Sequence, residues 1–326
     1  MKEWSVADMP SLSGKLAVVT GATGGLGYET ALALARAGAE VLVTGRNAEK
    51  GRAAVERIKR AVPVTKVRFE MLDLASLASV RAFATRMIAN GRPLDFLVNN
   101  AGVMDLPTRR LTEDAFELQF GTNHLSHFAL TGLLLPLLRI AEAPRVVNVS
   151  SLAHRGGKID FGNLQAERKY RSWPAYQQSK LANLLFTDEL QRRSDGYGWG
   201  LMSNAAHPGY ARTDLIPNGP GTGGVKGVVM KALGSFMSHS AAAGALPTLF
   251  AAASPDAEPA GYYGPNGFYE LKGPVAPAKV FPQAKDEAVA RKLWDVSEQL
   301  TGVKWPQAAP ERDVVTTPAK MEMRNR

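Results

Sequence analysis

A short apolar stretch at residues 15–20 runs directly into Thr20-Gly21-Ala22-Thr23-Gly24-Gly25-Leu26-Gly27, and an Ala- and Leu-rich stretch at 30–37 follows, closed by Gly38. Apolar strand, glycine turn and helix in that order constrain the fold more than any other feature of the chain. Backbone N–H groups at such a turn and the helix N-terminus behind it together can hold a pyrophosphate. The glycines fall at 21, 25 and 27, a T-G-x-x-x-G-x-G spacing. Glycines also build ordinary turns. What makes this run a candidate nucleotide loop is its place after a first strand, with a second strand at 40–44.

The alternation continues along the chain. Residues 47–60 read as a helix and 64–71 as a strand leading into Asp73-Leu74. A helix at 76–89 carries apolar positions 77, 80, 84 and 87 on one stripe, and an apolar strand at 94–98 ends in Asn99-Asn100-Ala101-Gly102. Residues 112–139 read as a long helical stretch that Pro136 kinks or ends. The strand at 145–149 delivers Ser150 and Ser151 to its carboxyl end, where open α/β sheets bind their ligands, although serines there are also ordinary caps. A helix at 174–193, a sixth strand at 201–206, a helix at 241–253, a last strand at 261–263 and an amphipathic helix at 286–300 complete the pattern.

Such β-α units predict one Rossmann-type doubly wound parallel sheet of about seven strands, in the order 3-2-1-4-5-6-7, with helices on both faces. The expected boundaries are an N-terminal arm at 1–13, the domain at 14–304, and a flexible tail rich in Pro, Thr and charge at 305–326. Inside the domain the pattern breaks at about 210–240. Glycine-rich and then apolar with several methionines, this excursion reads either as a substrate lid or as a disordered surface loop.

Composition narrows the function. The formal net charge is +9, but basic residues are dispersed among acids, so the expectation is a solvated basic surface and no nucleic-acid partner. The absence of cysteine removes disulfides, thiolate zinc sites and cysteine nucleophiles. His124 and His127 lack the glutamate of a zinc-binding helix, and no metal is expected. Residues 1–13 hold no continuous apolar core, and runs such as 130–138 are too short to span a bilayer. The expectation is a soluble cytoplasmic protein with no membrane partner.

The second strand ends in Thr44-Gly45-Arg46-Asn47, without the acid that would bond an adenosine 2′-hydroxyl. Arg46 is then either a surface arginine or a fork for a 2′-phosphate. The cofactor expected is NADP(H) in preference to NAD(H), although the glycine loop supplies no second basic residue. Asp73 reads as a cap or turn residue at a strand end where an adenine contact would also lie.

Tyr176-Gln177-Gln178-Ser179-Lys180 lies on the helix at 174–193, so that a phenol and an ammonium share a face one turn apart. An unperturbed phenol ionises near pH ~10. A neighbouring cation lowers that value and suits Tyr176 to acid–base work. Taken alone, the pair reads as a solvated helix face.

Four motifs now stand in one order: residues 20–27, residues 99–102, Ser151 with Tyr176 and Lys180, and residues 208–213. Together they resemble the short-chain dehydrogenase/reductase family over roughly residues 14–300. The stretch Arg145-Val-Val-Asn-Val-Ser-Ser-Leu-Ala-His154 and the ending Leu293-Trp294-Asp295-Val296-Ser297-Glu298-Gln299-Leu300-Thr301-Gly302 are similar to its retinol dehydrogenase-like branch, which includes the WW-domain oxidoreductase. The resemblance implies a catalytic group of Asn123, Ser151, Tyr176 and Lys180. It implies a cofactor held by Gly21, Thr23, Gly25, Leu26 and Gly27, with Arg46 on the 2′-phosphate and Asp73 and Leu74 on the adenine. Asn100, Ala101 and Gly102 would line the ribose side, Tyr176 and Lys180 would also meet the cofactor, and Thr213 would hold the carboxamide after the Pro208-Gly209 turn. The chain departs from protochlorophyllide reductases in having no cysteine, and the hydrophobic anchor of membrane-bound retinol dehydrogenases is not expected here.

The activity implied is hydride exchange between NADP(H) and a ketone or aldehyde and its alcohol, with Tyr176 as acid or base and Asn123 positioning a water that returns protons to Lys180. The methionine-containing excursion points to a lipophilic carbonyl substrate. Two other readings are a non-catalytic NADP(H)-binding sensor and a partner-binding protein using its long helices. The subunit state is open between a monomer and a homo-oligomer, dimer or tetramer.

Overall fold

The computed structural model describes residues 3–210 and 240–307. Strands β1 (Leu16–Val19), β2 (Glu40–Gly45), β3 (Val67–Met71), β4 (Phe96–Asn99), β5 (Arg145–Val149), β6 (Met202–Ala206), β7 (Tyr262–Pro265) and β8 (Val275–Pro277) form one sheet. Its order is β3-β2-β1-β4-β5-β6-β7-β8. Neighbours pair in parallel as far as β7, and β8 adds an antiparallel edge with Gly264 opposite Ala276. The eighth strand goes beyond the seven expected. Three half-exposed residues that end in a proline give no period to read.

Helices α1 (Gly25–Arg36), α2 (Ala48–Ala61), α3 (Leu77–Asn90), α4 (Leu118–Phe120), α5 (Ser126–Arg139), α6 (Ser172–Tyr197), α7 (Ala241–Ala253) and α8 (Glu287–Thr301) cover both faces. Several start where a side-chain oxygen takes an orphan N–H: Asn47 from Lys50, Ser76 from Ser79, Ser240 from Ala243 and Asp286 from Val289. Each such cap is worth about 1 kcal/mol. Gly91, Gly198 and Gly302 end α3, α6 and α8 in the left-handed conformation that an L side chain would strain.

Because side chains alternate along a strand, the buried strands feed two cores. Leu16, Val18, Leu42, Leu97 and Val146 pack toward α3, α5, α6 and α8. Ala17, Val19, Val41, Val43, Val98 and Val147 pack toward α1, α2 and α7. The helix read at 112–139 is interrupted differently from expectation. α4 passes into a π-helical turn at Gly121–Leu125 before α5, and Pro136 sits inside α5, which continues to Arg139. Burial of Leu134, Leu135, Leu137 and Leu138 holds the helix together past the missing proline N–H.

Trp305, placed by the sequence reading at the start of the tail, is buried instead. Its ring lies 4.6 Å from Trp294 and 5.3 Å from Phe128, and stacks on Trp199 at 5.7 Å. The excursion expected at about 210–240 lies, apart from its end residues, outside the described residues. Among the described residues, no helix is long and apolar enough to cross a membrane.

Candidate active site

Parallel pairing brings the carboxyl ends of β1 to β6 to one edge, and with them Thr20, Arg46, Asp73, Asn100, Ser151 and His207. A crevice of about 420 Å³ opens there. It is lined by Gly21, Thr23, Gly24, Gly25, Leu26 and Gly27 on one side, and by Arg46, Asp73, Leu74, Asn100, Ala101 and Gly102 on the others.

The glycines are dictated by contact and by backbone. Gly21 and Gly25 have φ of 64° and 53°. A Cβ on Gly27 would stand 2.5 Å from Asn100 Nδ2 and 2.6 Å from the Gly21 carbonyl, and one on Gly21 would stand 2.9 Å from Ala101. Only a chain without side chains here lets α1 approach the end of β4. The first turn of α1 has no acidic residue, and Gly24 before it supplies no side-chain cap. Uncapped N–H groups facing a glycine-walled crevice suit a phosphate. Lys50 joins Arg46 in the lining. Sequence reasoning left Lys50 among dispersed surface charges; its position one turn into α2, four residues past Arg46, was the available signal. Asp73 faces the crevice and also accepts the Ala75 N–H at 2.9 Å, so the turn role and the lining role coexist.

The expected catalytic side chains converge beside this crevice. Tyr176 is buried on α6 and takes a hydrogen bond from Ser151. Of the paired serines, Ser150 donates to the Lys180 carbonyl at 2.8 Å, which leaves Ser151 facing the phenol. Lys180 Nζ lies 5.7 Å from the Tyr176 ring centre and donates to the Val149 carbonyl at 3.0 Å. Asn123, in the π-helical turn, braces the end of β4 against α6. Its Nδ2 donates to the Val103 carbonyl and to Ser179 Oγ, and its Oδ1 accepts the Val103 N–H. A Cβ on Gly102 would stand 3.1 Å from Asn123 Oδ1 and 3.5 Å from Lys180 Nζ, so the crevice floor meets both polar groups.

The electrostatics depart from expectation. Burial pushes the Tyr176 phenol up to about 12, against the opposing Ser151 hydrogen bond, instead of the lowering expected from Lys180. The same burial brings Lys180 down to about 8. With both side chains buried, desolvation outweighs an ammonium held one turn away. The site therefore presents a neutral phenol with a hydroxyl beside it: a proton donor to an oxygen and a second group to orient that oxygen.

Other expected residues are dispersed. Pro208 and Gly209 follow β6, and a Cβ on Gly209 would stand 2.4 Å from the Leu271 carbonyl in the loop before β8. Thr213 lies outside the described residues. His124 and His127 are buried and bonded to Ser297 and Thr20. Trp173, half-exposed with its ring 5.5 Å from Tyr176, was not singled out from the sequence.

A doubly wound sheet with a glycine crevice and a Ser-Tyr-Lys group at its carboxyl edge defines a nicotinamide-dependent oxidoreductase. The chain belongs to the short-chain dehydrogenase family, whose model matches residues 15–219, and to its retinol dehydrogenase-like branch. It is 44% identical over 303 residues to retinol dehydrogenase 13 of Homo sapiens, covering 91% of this chain and 87% of that one. It is 40% identical over 309 residues to polyprenol dehydrogenase of Danio rerio, covering 93% and 91%. A crystal structure of an uncharacterized protein from Mycobacterium paratuberculosis matches with a TM-score of 0.77 and 42% identity, over 94% of this chain and all of that one. The family works with NAD(P).

Proposed function

We propose that this protein is an NADP(H)-dependent carbonyl reductase and alcohol dehydrogenase that interconverts a lipophilic ketone or aldehyde and its alcohol, running toward the alcohol. The observation that carries the reading is the buried Tyr176 phenol with the half-buried Ser151 hydroxyl against it, on the helix whose Lys180 ammonium reaches the Gly102 wall of the crevice. A bound nicotinamide supplies or accepts the hydride. Tyr176 gives its phenolic proton to the substrate oxygen, and Ser151 donates a hydrogen bond that fixes the oxygen's angle and stabilises its developing charge. A phenol kept protonated up to about 12 favours giving a proton over taking one at neutral pH. Lys180 holds the ribose hydroxyls, and Asn123 positions a water that returns protons to Lys180.

Arg46 and Lys50 together support NADP(H), since two cations on one wall match a 2′-phosphate where an acid would repel it. An apolar substrate is supported by Val103, Met104, Leu106 and Leu118 in the crevice wall. The names of the two curated relatives, both dehydrogenases of long apolar alcohols, point the same way. The test is a panel of carbonyl compounds run in parallel with NADPH and NADH. Oxidation of NADPH by apolar aldehydes or ketones is expected; no turnover by any of them would remove the catalytic reading.

A further inference from the structure

Behind Ser151 lies a charged cluster that proton transfer does not use. Glu270, in the loop between β7 and β8, accepts from Arg155 Nη2 at 2.6 Å and from the Lys279 N–H at 3.0 Å. His207 Nε2 stands 3.3 Å from the same carboxylate. The Gly209 N–H donates to His207 Nδ1 at 3.1 Å, so this imidazole carries its proton on Nε2, toward Glu270.

These partners belong to two different walls of the site. Arg155 follows Ser151 in one short turn, whose His154 Nδ1–H donates to the Ser151 carbonyl at 2.8 Å. His207 opens the turn after β6. The two turns leave adjacent strands in register, with Val149 opposite Ala206. Between them the Tyr262 ring packs on His154 at 5.5 Å and on His207 at 5.2 Å. Glu270 is thus the anion that spans both.

Its backbone is held in a costly shape. Tyr269 and Glu270 have φ of 50° and 60°, in the left-handed region that L residues avoid. Packing does not hold them there, since Phe268 and Tyr269 are 74% and 70% exposed. The ties are polar: the Glu270 and Leu271 N–H groups close the turn on the Gly267 and Phe268 carbonyls at 2.8 and 3.1 Å, while the Glu270 carboxylate and the Leu271 carbonyl, which accepts the Tyr210 N–H at 2.8 Å, fasten it to the site.

We propose that Glu270 is a positioning residue for catalysis. It clasps the Ser151 turn through Arg155 and the His207 turn through its imidazole, and so fixes the distance across which the substrate carbonyl is presented to Ser151 and Tyr176. The inference rests on the reading of that pair as the proton-transfer centre. Glu270 touches no reacting atom; its effect is on alignment, where an error of about 1 Å can cost on the order of 100-fold in rate.

The test is a double-mutant cycle of E270Q and R155M, read by kcat, KM and NADPH affinity. Expected is a fall in kcat of roughly 10- to 100-fold in each single variant, with NADPH affinity little changed and no further loss in the double variant. Wild-type kcat in E270Q, losses that multiply in the double variant, or a parallel loss of NADPH binding would overturn it. If E270Q does not fold, R155M alone is judged by the same kcat and affinity outcomes. If the wild type reduces nothing, catalysis fails as a reading and the clasp is judged by amide exchange at Gly157, Gly209 and Tyr210. Faster exchange in E270Q than in Y176F supports it, and equal exchange overturns it.

Discussion

Thr20 Oγ1 and His127 Nε2 lie 2.9 Å apart in the core, and the direction of that hydrogen bond follows from the rest of the ring. His127 Nδ1 faces the Asn123 carbonyl at 3.0 Å, which can only accept, so the ring proton is on Nδ1. Burial keeps the imidazole neutral by lowering it to about 4, so Nε2 accepts the Thr20 proton. The Thr20 oxygen in turn accepts the N–H groups of Asn100 and Ala101, each at 2.9 Å. One chain of hydrogen bonds thus runs from the turn holding Asn123 to the wall of the crevice.

Thr20→Val keeps the shape and strands two polar groups, His127 Nε2 and the Ala101 N–H, since the Asn100 N–H keeps the Val98 carbonyl at 3.0 Å. At about 1–3 kcal/mol for each buried group left unpaired, a loss of roughly 2 kcal/mol or more is expected, with weaker NADPH binding. Thr20→Ser should restore both. Urea unfolding and a fluorescence titration measure these; an unchanged unfolding midpoint in the valine variant would remove the network from the fold's support.

The sheet and most of the site were legible because their signals are local. Leu16–Val19 is a continuous apolar run and Arg145–Val149 is valine-rich, and the glycines at 21, 25 and 27 declare a tight turn or a close approach in the residue type itself. What was not legible depends on contacts between distant segments. The π-helical turn comes where a Cβ on Gly121 would stand 2.6 Å from Thr112 Cγ2, in the loop folded back before it. The Glu270 carboxylate reaches Arg155 across 115 residues, a pairing no spacing announces. The raised Tyr176 phenol was misjudged for the same reason: charge proximity is visible in Tyr-x-x-x-Lys, whereas burial is not.

Tyr176→Phe should reduce turnover by at least ~10²–10⁴-fold, the usual worth of such proton transfer, while NADPH still binds. In the wild type, alcohol oxidation needs the phenolate, so its kcat/KM should climb as pH rises above neutrality. Carbonyl reduction needs the phenol and should stay level until Lys180 gives up its proton near pH 8. A steady-state pH series in both directions checks this. Reduction and oxidation rising together would take Tyr176 out of the acid–base role.

Arg46→Ala and Lys50→Ala should each raise the KM for NADPH by roughly 10-fold or more, the scale of a lost charge-assisted hydrogen bond, and leave the KM for NADH nearly unchanged. The ratio of the two coenzyme KM values is the measurement. Equal effects on both coenzymes would assign the two cations to general electrostatics instead of a 2′-phosphate.

Acid should unfold this protein early. His124 is lowered by burial from 6.5 to about 3, and His127 and His154 from 6.5 to about 4, so the folded chain keeps them neutral where the unfolded chain binds protons. Their support is complete above the unfolded value and drains away as pH falls from 6.5 toward 4, by up to ~3 kcal/mol for each. Asp188 acts in the opposite sense. Burial raises its carboxyl from 3.8 to about 6, so the folded state gains as pH drops through that window and offsets about one histidine. The balance is still a loss of stability. Urea unfolding between about pH 7.5 and pH 4.5 should show the free energy falling steadily below pH 6.5, and a flat profile would mean that these imidazoles are not buried as neutral groups.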